Sequence, residues 1–127
     1  MHNLSASGLI IWTSASHFES MRSFYSETLE LPVRSDRKEF INFELNSFRL
    51  TIAVHSDIKN SAKDPLRIMI NLGTARIQET YNTLTNKGVS FLREPEQESW
   101  GGWIATFTDP DGNIIQLLEE PDSFTNL

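Results

Sequence analysis

The chain has no cysteine among its 127 residues, which excludes disulfides, cysteine-ligated zinc or iron-sulfur centres and thiol catalysis. Imidazoles are scarce: His2, His17 and His55 are the only ones. No apolar run approaches the roughly 18 residues of a membrane helix, and the opening MHNLSASG has neither the basic flank nor the apolar stretch of a signal peptide. The expectation is a cytoplasmic protein that does not contact membranes. Positive charge is also in deficit. Lys and Arg number 11 against 17 Asp and Glu, giving a net charge of −6 with no basic cluster, so the chain repels nucleic acid backbones. An acidic surface suits a cationic or neutral small ligand, and it also serves solubility alone.

What is present is an ordinary globular composition, 39% hydrophobic and 22% charged, without low-complexity runs or blocks of like charge. The length suits one domain, 1–127. Residues 8–14, GLIIWTS, have the form of a strand, and Ser16-His-Phe-Glu19 has the form of a capping box opening a helix. Phe18, Met21, Phe24, Tyr25, Thr28 and Leu29 recur at helical spacing until Pro32 stops the helix. Two strand-like runs follow, EFINFELN (39–46) and FRLTIAVH (48–55), close enough to form a hairpin. In the second, Leu50, Ile52 and Val54 share one side, and Arg49, Thr51, Ala53 and His55 share the other.

The polar stretch SDIKNSAKD, closed by Pro65, reads as a linker, after which the order of elements begins again. LRIMINL (66–72) is a strand whose core set is Leu66, Ile68 and Ile70, with Arg67, Met69 and Asn71 opposite. Thr74 caps a helix carrying Ile77, Tyr81 and Leu84 that ends at Gly88, and strands follow at 89–93, 102–108 and 113–120. The pattern is β-α-β-β-β twice, over about 8–56 and 66–120. The fold class is therefore α+β: two modules forming a curved mixed sheet around a central cleft, with helices outside.

Three stretches carry a resemblance: FTDPDGNIIQLLEE at 107–120, FYSETLEL at 24–31, and Gly88-Val89 after the second helix. With them the chain resembles the vicinal oxygen chelate superfamily, which includes glyoxalase I, extradiol dioxygenases, fosfomycin-resistance enzymes and bleomycin-resistance proteins. In this superfamily, members that do chemistry hold a divalent metal with His, Glu or Gln from the first and last strands of each module. By the resemblance, those places fall within a residue or so of Ile10, Thr51, Arg67 and Gln116. An aliphatic chain cannot ligate and a guanidinium cannot give up its proton, while a hydroxyl and an amide are weak neutral donors. The usual metal site is therefore expected to be absent, with Gln116 serving as a neutral hydrogen-bonding group toward the cleft beside Ile114 and Leu118.

Candidate ligand-binding residues are Trp12, Arg67, Met69, Asn71, Trp100, Trp103 and Gln116. Trp12 shares strand parity with Ile10, and Trp100 and Trp103 flank Gly101-Gly102 in a stretch resembling antibiotic-binding members; ordinary packing or a dimer contact is the alternative for each. Arg67 offers a planar fork to an oxyanion, or else an internal ion pair with a residue such as Glu44. Weak catalytic candidates are Glu44, His55 and Arg67. A displaced metal site from His55, Glu44 and Gln116 is a further alternative. Tyr25 and Tyr81 fall on apolar helix faces and read as core. The Glu119-Glu120 pair borders a cationic-ligand groove or is a solvated strand end.

These features predict a metal-independent, glyoxalase/bleomycin-resistance-like protein without cofactor, binding a small organic molecule as a homodimer. The ligand expected is aromatic or cationic, such as a peptide or polyketide antibiotic that is sequestered. The rival is an enzyme of the same superfamily, a lyase, isomerase or dioxygenase, in which the metal is shifted or replaced by Arg67 with Glu44 or His55.

Overall fold

Period-two alternation sets the first strand, β1 (Gly8–Thr13): Ile11 and Thr13 are buried while Ile10 and Trp12 are exposed. These coordinates are a computed structural model that describes residues 3–122; His2 lies outside them. After β1 the chain turns at Ser14, whose Oγ accepts the His17 amide at 3.2 Å, and helix α1 (Phe18–Ser23) begins. The expected capping box does not form. Ser16 Oγ is turned toward Ser14 Oγ at 3.2 Å, and α1 starts with no side-chain cap. From Phe24 to Thr28 the helix widens into a π-helical turn, with Leu29 N donating to Phe24 O at 2.9 Å. Phe18, Met21 and Tyr25 are buried on one face, as the apolar spacing predicts.

Three more strands complete the first module: β2 (Val33–Asp36), β3 (Phe40–Leu45) and β4 (Phe48–Val54). The sheet order is β1-β4-β3-β2, with β1 and β4 parallel and the other pairs antiparallel. Asn46 and Ser47, at φ 47° and 69°, make the tight two-residue turn between β3 and β4. β2 is the strand that the sequence pattern leaves unlocated. VRSD has no apolar alternation, lies at the sheet edge and is broken by a bulge between Val33 and Ser35. A charged clamp ties it to α1: Arg22 Nε donates to Asp36 Oδ1 at 3.0 Å, and Arg22 Nη2 meets Asp36 Oδ2.

The second module repeats the plan with β5 (Met69–Gly73), α2 (Ile77–Asn86), β6 (Phe91–Gln97), β7 (Trp103–Thr108) and β8 (Ile114–Glu119), in the order β5-β8-β7-β6. Again only the first and last strands are parallel. The chain divides into two compact units between Asn60 and Ser61. In each unit a helix seals one sheet face. Tyr25 meets Phe43 across 6.4 Å in the first; in the second, Tyr81, Phe91 and Phe107 stack in succession at 4.7 and 5.1 Å. This is an α+β fold of two β-α-β-β-β modules.

The strand expected at 66–72 begins only at Met69, because Met69 lies opposite Ile114, the first residue of β8, leaving nothing earlier to pair with. Arg67 N instead donates to Asp64 O at 3.1 Å, so the chain before β5 is a turn. Leu66 and Ile68, expected in the core, are therefore 73% and 69% exposed. Helix α2 lacks the expected Thr74 side-chain cap on its first turn. Its Ile77 amide is held at 2.7 Å by Glu119 Oε1, reaching over from β8.

The TDPDGN turn is built on Asp109, buried at 4% exposure. Its Oδ1 accepts the amides of Asp111 at 2.9 Å and Asn113 at 3.0 Å, and its Oδ2 accepts Asn113 Nδ2 at 2.9 Å. Gly112 takes φ 84° to close the turn. These bonds fix where β8 starts and so which of its side chains face which side. Among the described residues, no helix is long and apolar enough to cross a membrane.

Asp109→Ala strands buried amides and is expected to cost about 2–4 kcal/mol in urea unfolding, against little change for an exposed control substitution. Arg22 hydrogen-bonds Asp36 and holds its carboxyl below the ordinary 3.8. The folded pKa is thus the lower one, and the clamp contributes stability above about pH 4 that is lost as pH falls through the depressed value. Asp36→Asn should match the wild type near pH 2 and be the less stable protein near pH 7 when both are followed by chemical denaturation.

Candidate functional site

With α1 covering one side of the first sheet, register arranges the side chains of the other side in rows. Trp12, Ala53 and Phe40 form one row; Ile10, Thr51, Asn42 and Ser35 the next; Gly8, Arg49 and Glu44 the third. Neighbours in a row stand about 5 Å apart and rows about 7 Å apart. The first row is an apolar shelf, with Trp12 at 45% and Phe40 at 37% exposure. Apart from Ile10 the middle row is polar, and it carries no ionisable group. In the third, Glu44 is taken by Arg34, whose Nε lies 3.3 Å from its Oε1.

The helix-free side of the second sheet follows the same scheme. Met69, Ile114 and Thr108 form one row; Asn71, Gln116, Thr106 and Arg93 the middle one; Gly73, Leu118 and Ile104 the third. Gln116 Nε2 donates to Asn71 Oδ1 at 2.9 Å. Arg93, on the edge strand, donates through Nε to Glu96 at 2.9 Å and lies 3.2 Å from Glu98, and these carboxylates raise its pKa.

The candidates fall into two groups. Trp12, Met69, Asn71 and Gln116 lie on helix-free sheet faces, and Gln116 keeps the parity read from the sequence, since Ile115 and Leu117 are buried on the helix side. Arg67, Trp100 and Trp103 lie elsewhere. Arg67 precedes β5 and pairs with Asp64 at 3.2 Å, with its side chain 76% exposed, so the residue opposite Gln116 is Asn71. Trp100 sits at the β6–β7 hairpin with its indole over Gly102, where a Cβ would come within 2.0 Å of the ring. Trp103 shares the parity of the buried Ala105 and Phe107, the helix side, and lines a 410 Å³ groove with Glu119 and the first turn of α2.

The titratable candidates are engaged in local structure. His55 Nδ1 accepts the Asp57 amide at 3.0 Å, so the neutral ring carries its proton on Nε2, and its ring meets Trp12 edge-on at 5.2 Å. Tyr81 donates to Glu94 at 3.2 Å, and burial together with that carboxylate pushes its pKa up. Among the described residues, no three His, Cys, Asp or Glu side chains are grouped closely enough to hold a metal ion. The side chains in the two middle rows are an alkyl, hydroxyls, carboxamides and the Arg93 guanidinium, with none of the carboxylates or imidazoles that a divalent ion prefers.

Asn42 was not among the candidates. Alternation in FINFEL, with Ile41 and Phe43 fully buried on the helix side, would have placed it beside Thr51. It is 8% exposed and its Oδ1 is buried with no hydrogen-bond partner. An unpaired buried amide oxygen costs stability in the free chain. Asn42→Leu should therefore raise the stability by about 1 kcal/mol, read as a higher Tm; a lower Tm would give Asn42 a structural role instead.

Comparison with known proteins agrees with this plan. Residues 9–121 match the Glyoxalase-like domain family. The uncharacterized protein YraH of Bacillus subtilis (strain 168) is 26% identical over 114 residues, covering 80% of this chain and 89% of that protein. A glyoxalase/bleomycin resistance protein/dioxygenase from Nocardioides superposes with TM-score 0.78 at 16% identity, over 96% of this chain and 87% of that one. A superfamily member of the same description from Sphaerobacter thermophilus DSM 20745 gives TM-score 0.66 at 26% identity, over 92% and 98%. With the repeated module and the Asp109 turn already in place, the match over nearly the whole chain makes this protein a member of the Glyoxalase-like domain family, within the vicinal oxygen chelate superfamily.

Proposed function

We propose that this protein binds a small, flat, uncharged organic molecule on a helix-free sheet face without using a metal ion. The observation that carries this reading is the Asn71–Gln116 hydrogen bond at 2.9 Å. At a place where superfamily members that do chemistry hold a metal ion, two neutral amides here hydrogen-bond one another. An apolar shelf of Trp12, Ala53 and Phe40 beside the polar Thr51 and Asn42 supports the same reading, since small-molecule sites combine apolar walls with a few fixed polar groups. Binding of this kind suffices for sequestration, as expected of a protein similar to bleomycin-resistance members.

The enzymatic alternative has less support. Its base candidates, Glu44 and His55, are occupied by Arg34 and by the Asp57 amide, and Arg67 is tied to Asp64 ahead of the strand. With Arg93 paired to Glu96 and Glu98, the otherwise uncharged middle rows also favour an uncharged ligand over the cationic one that the net charge alone suggests.

Tryptophan fluorescence during titration with planar neutral aromatics tests the reading. Saturable quenching is expected, unchanged by EDTA, and weakened about tenfold by Trp12→Ala through loss of stacking area. Binding that appears only after a divalent metal is added would contradict it.

A further inference from the structure

We infer that the Asn71–Gln116 pair recognises the adjacent N–H and C=O of a carboxamide-type edge, as in a lactam, imide or ureide. This deepens the binding reading above and rests on it. Each primary carboxamide has two N–H donors and one oxygen acceptor. The bond from Gln116 Nε2 to Asn71 Oδ1 at 2.9 Å uses one donor and one acceptor. Gln116 Oε1 and the Asn71 amide protons remain, an acceptor and a donor on neighbouring side chains. Reversing both amides leaves the same inventory with the roles exchanged, so the conclusion does not depend on which way the pair is oriented. The mutual bond also restrains two flexible side chains before any ligand arrives, which lowers the entropic cost of binding.

The surroundings select against charge. The flanking rows hold the exposed Met69 beside the buried Ile114 on one side and the half-buried Leu118 beside the buried Ile104 on the other. Arg93, at the strand edge of the same row, is already bound by Glu96 and Glu98. A ligand carboxylate would meet a cation that is already paired, whereas a neutral amide edge meets a complementary acceptor and donor between apolar walls. Methylating the ligand nitrogen removes the donor and places a methyl group against the remaining carboxamide oxygen of the pair, which is the kind of mismatch that hydrogen-bonding sites reject strongly.

The test is a two-dimensional amide NMR titration of the whole chain with three probes: 2-quinolinone, N-methyl-2-quinolinone and quinoline. The expected result is that 2-quinolinone binds at least about tenfold more tightly than its N-methyl form, shifting β5 and β8 signals. Gln116→Met and Asn71→Leu should each abolish that preference while leaving Tm essentially unchanged, because Asn71 is exposed and Gln116 only half-buried. Equal affinity for the two quinolinones, or a preference that survives Gln116→Met, overturns the inference but leaves the small-molecule reading standing. If none of the three probes shifts either helix-free sheet face, both are overturned.

Discussion

Each sheet in this protein gives one face to a helix, and the rest of the arrangement depends on that burial. Met21, Tyr25 and Phe43 are fully buried in the first unit and Phe107 and Ile115 in the second, each contributing about 2–3 kcal/mol relative to exposure. A one-residue register slip would bring Gln116 and Asn71 to the helix and turn Ile115 out to solvent, at the cost of several such contributions. The rows on the helix-free faces are therefore set by the core behind them. The Asp109 turn fixes the start of β8 and the Glu119 carboxylate holds the start of α2, so both ends of the strand bearing Gln116 are tied down.

The resemblance puts Ile10, Thr51 and Gln116 where superfamily members that do chemistry hold a metal ion, and none of these three side chains is ionised. A carboxylate or imidazole facing solvent in the middle of a sheet is hydrated at little cost, and bringing a metal to it offsets the charge. Once those positions are an alkyl, a hydroxyl and amides, no charge needs a counter-ion, and the amides satisfy each other. On the binding mode proposed above, polar recognition rests on neutral donors and acceptors rather than on ions. Asn42 is the exception, since its buried oxygen has no partner, and such a group is a stability cost kept beside the exposed Trp12 and Phe40 shelf.

Much of this was legible in the sequence, and the remainder was hidden for identifiable reasons. Period-two parity in FRLTIAV and IIQLLE gave the right facing for Leu50, Ile52, Gln116 and Leu117, although Ala53 and Ile114 on the opposite faces are buried as well. β2 was missed because VRSD lies at an edge, where no pattern of burial is imposed. LRIMINL misled for the opposite reason: its apolar residues continue ahead of the point where β8 can offer a partner, so Leu66 and Ile68 read as core and lie exposed. Arg67 was carried with them. Trp103 shows that an aromatic beside a glycine pair does not reveal its face; the register opposite Glu119 does.

The central claim is that binding here needs no metal, and elemental analysis combined with native mass spectrometry of the protein purified without added ions tests it most directly. The account predicts well below one equivalent of any divalent metal per chain, with or without a co-purified organic ligand. About one equivalent, retained through exchange into metal-free buffer as a true metal site would retain it, would contradict the account.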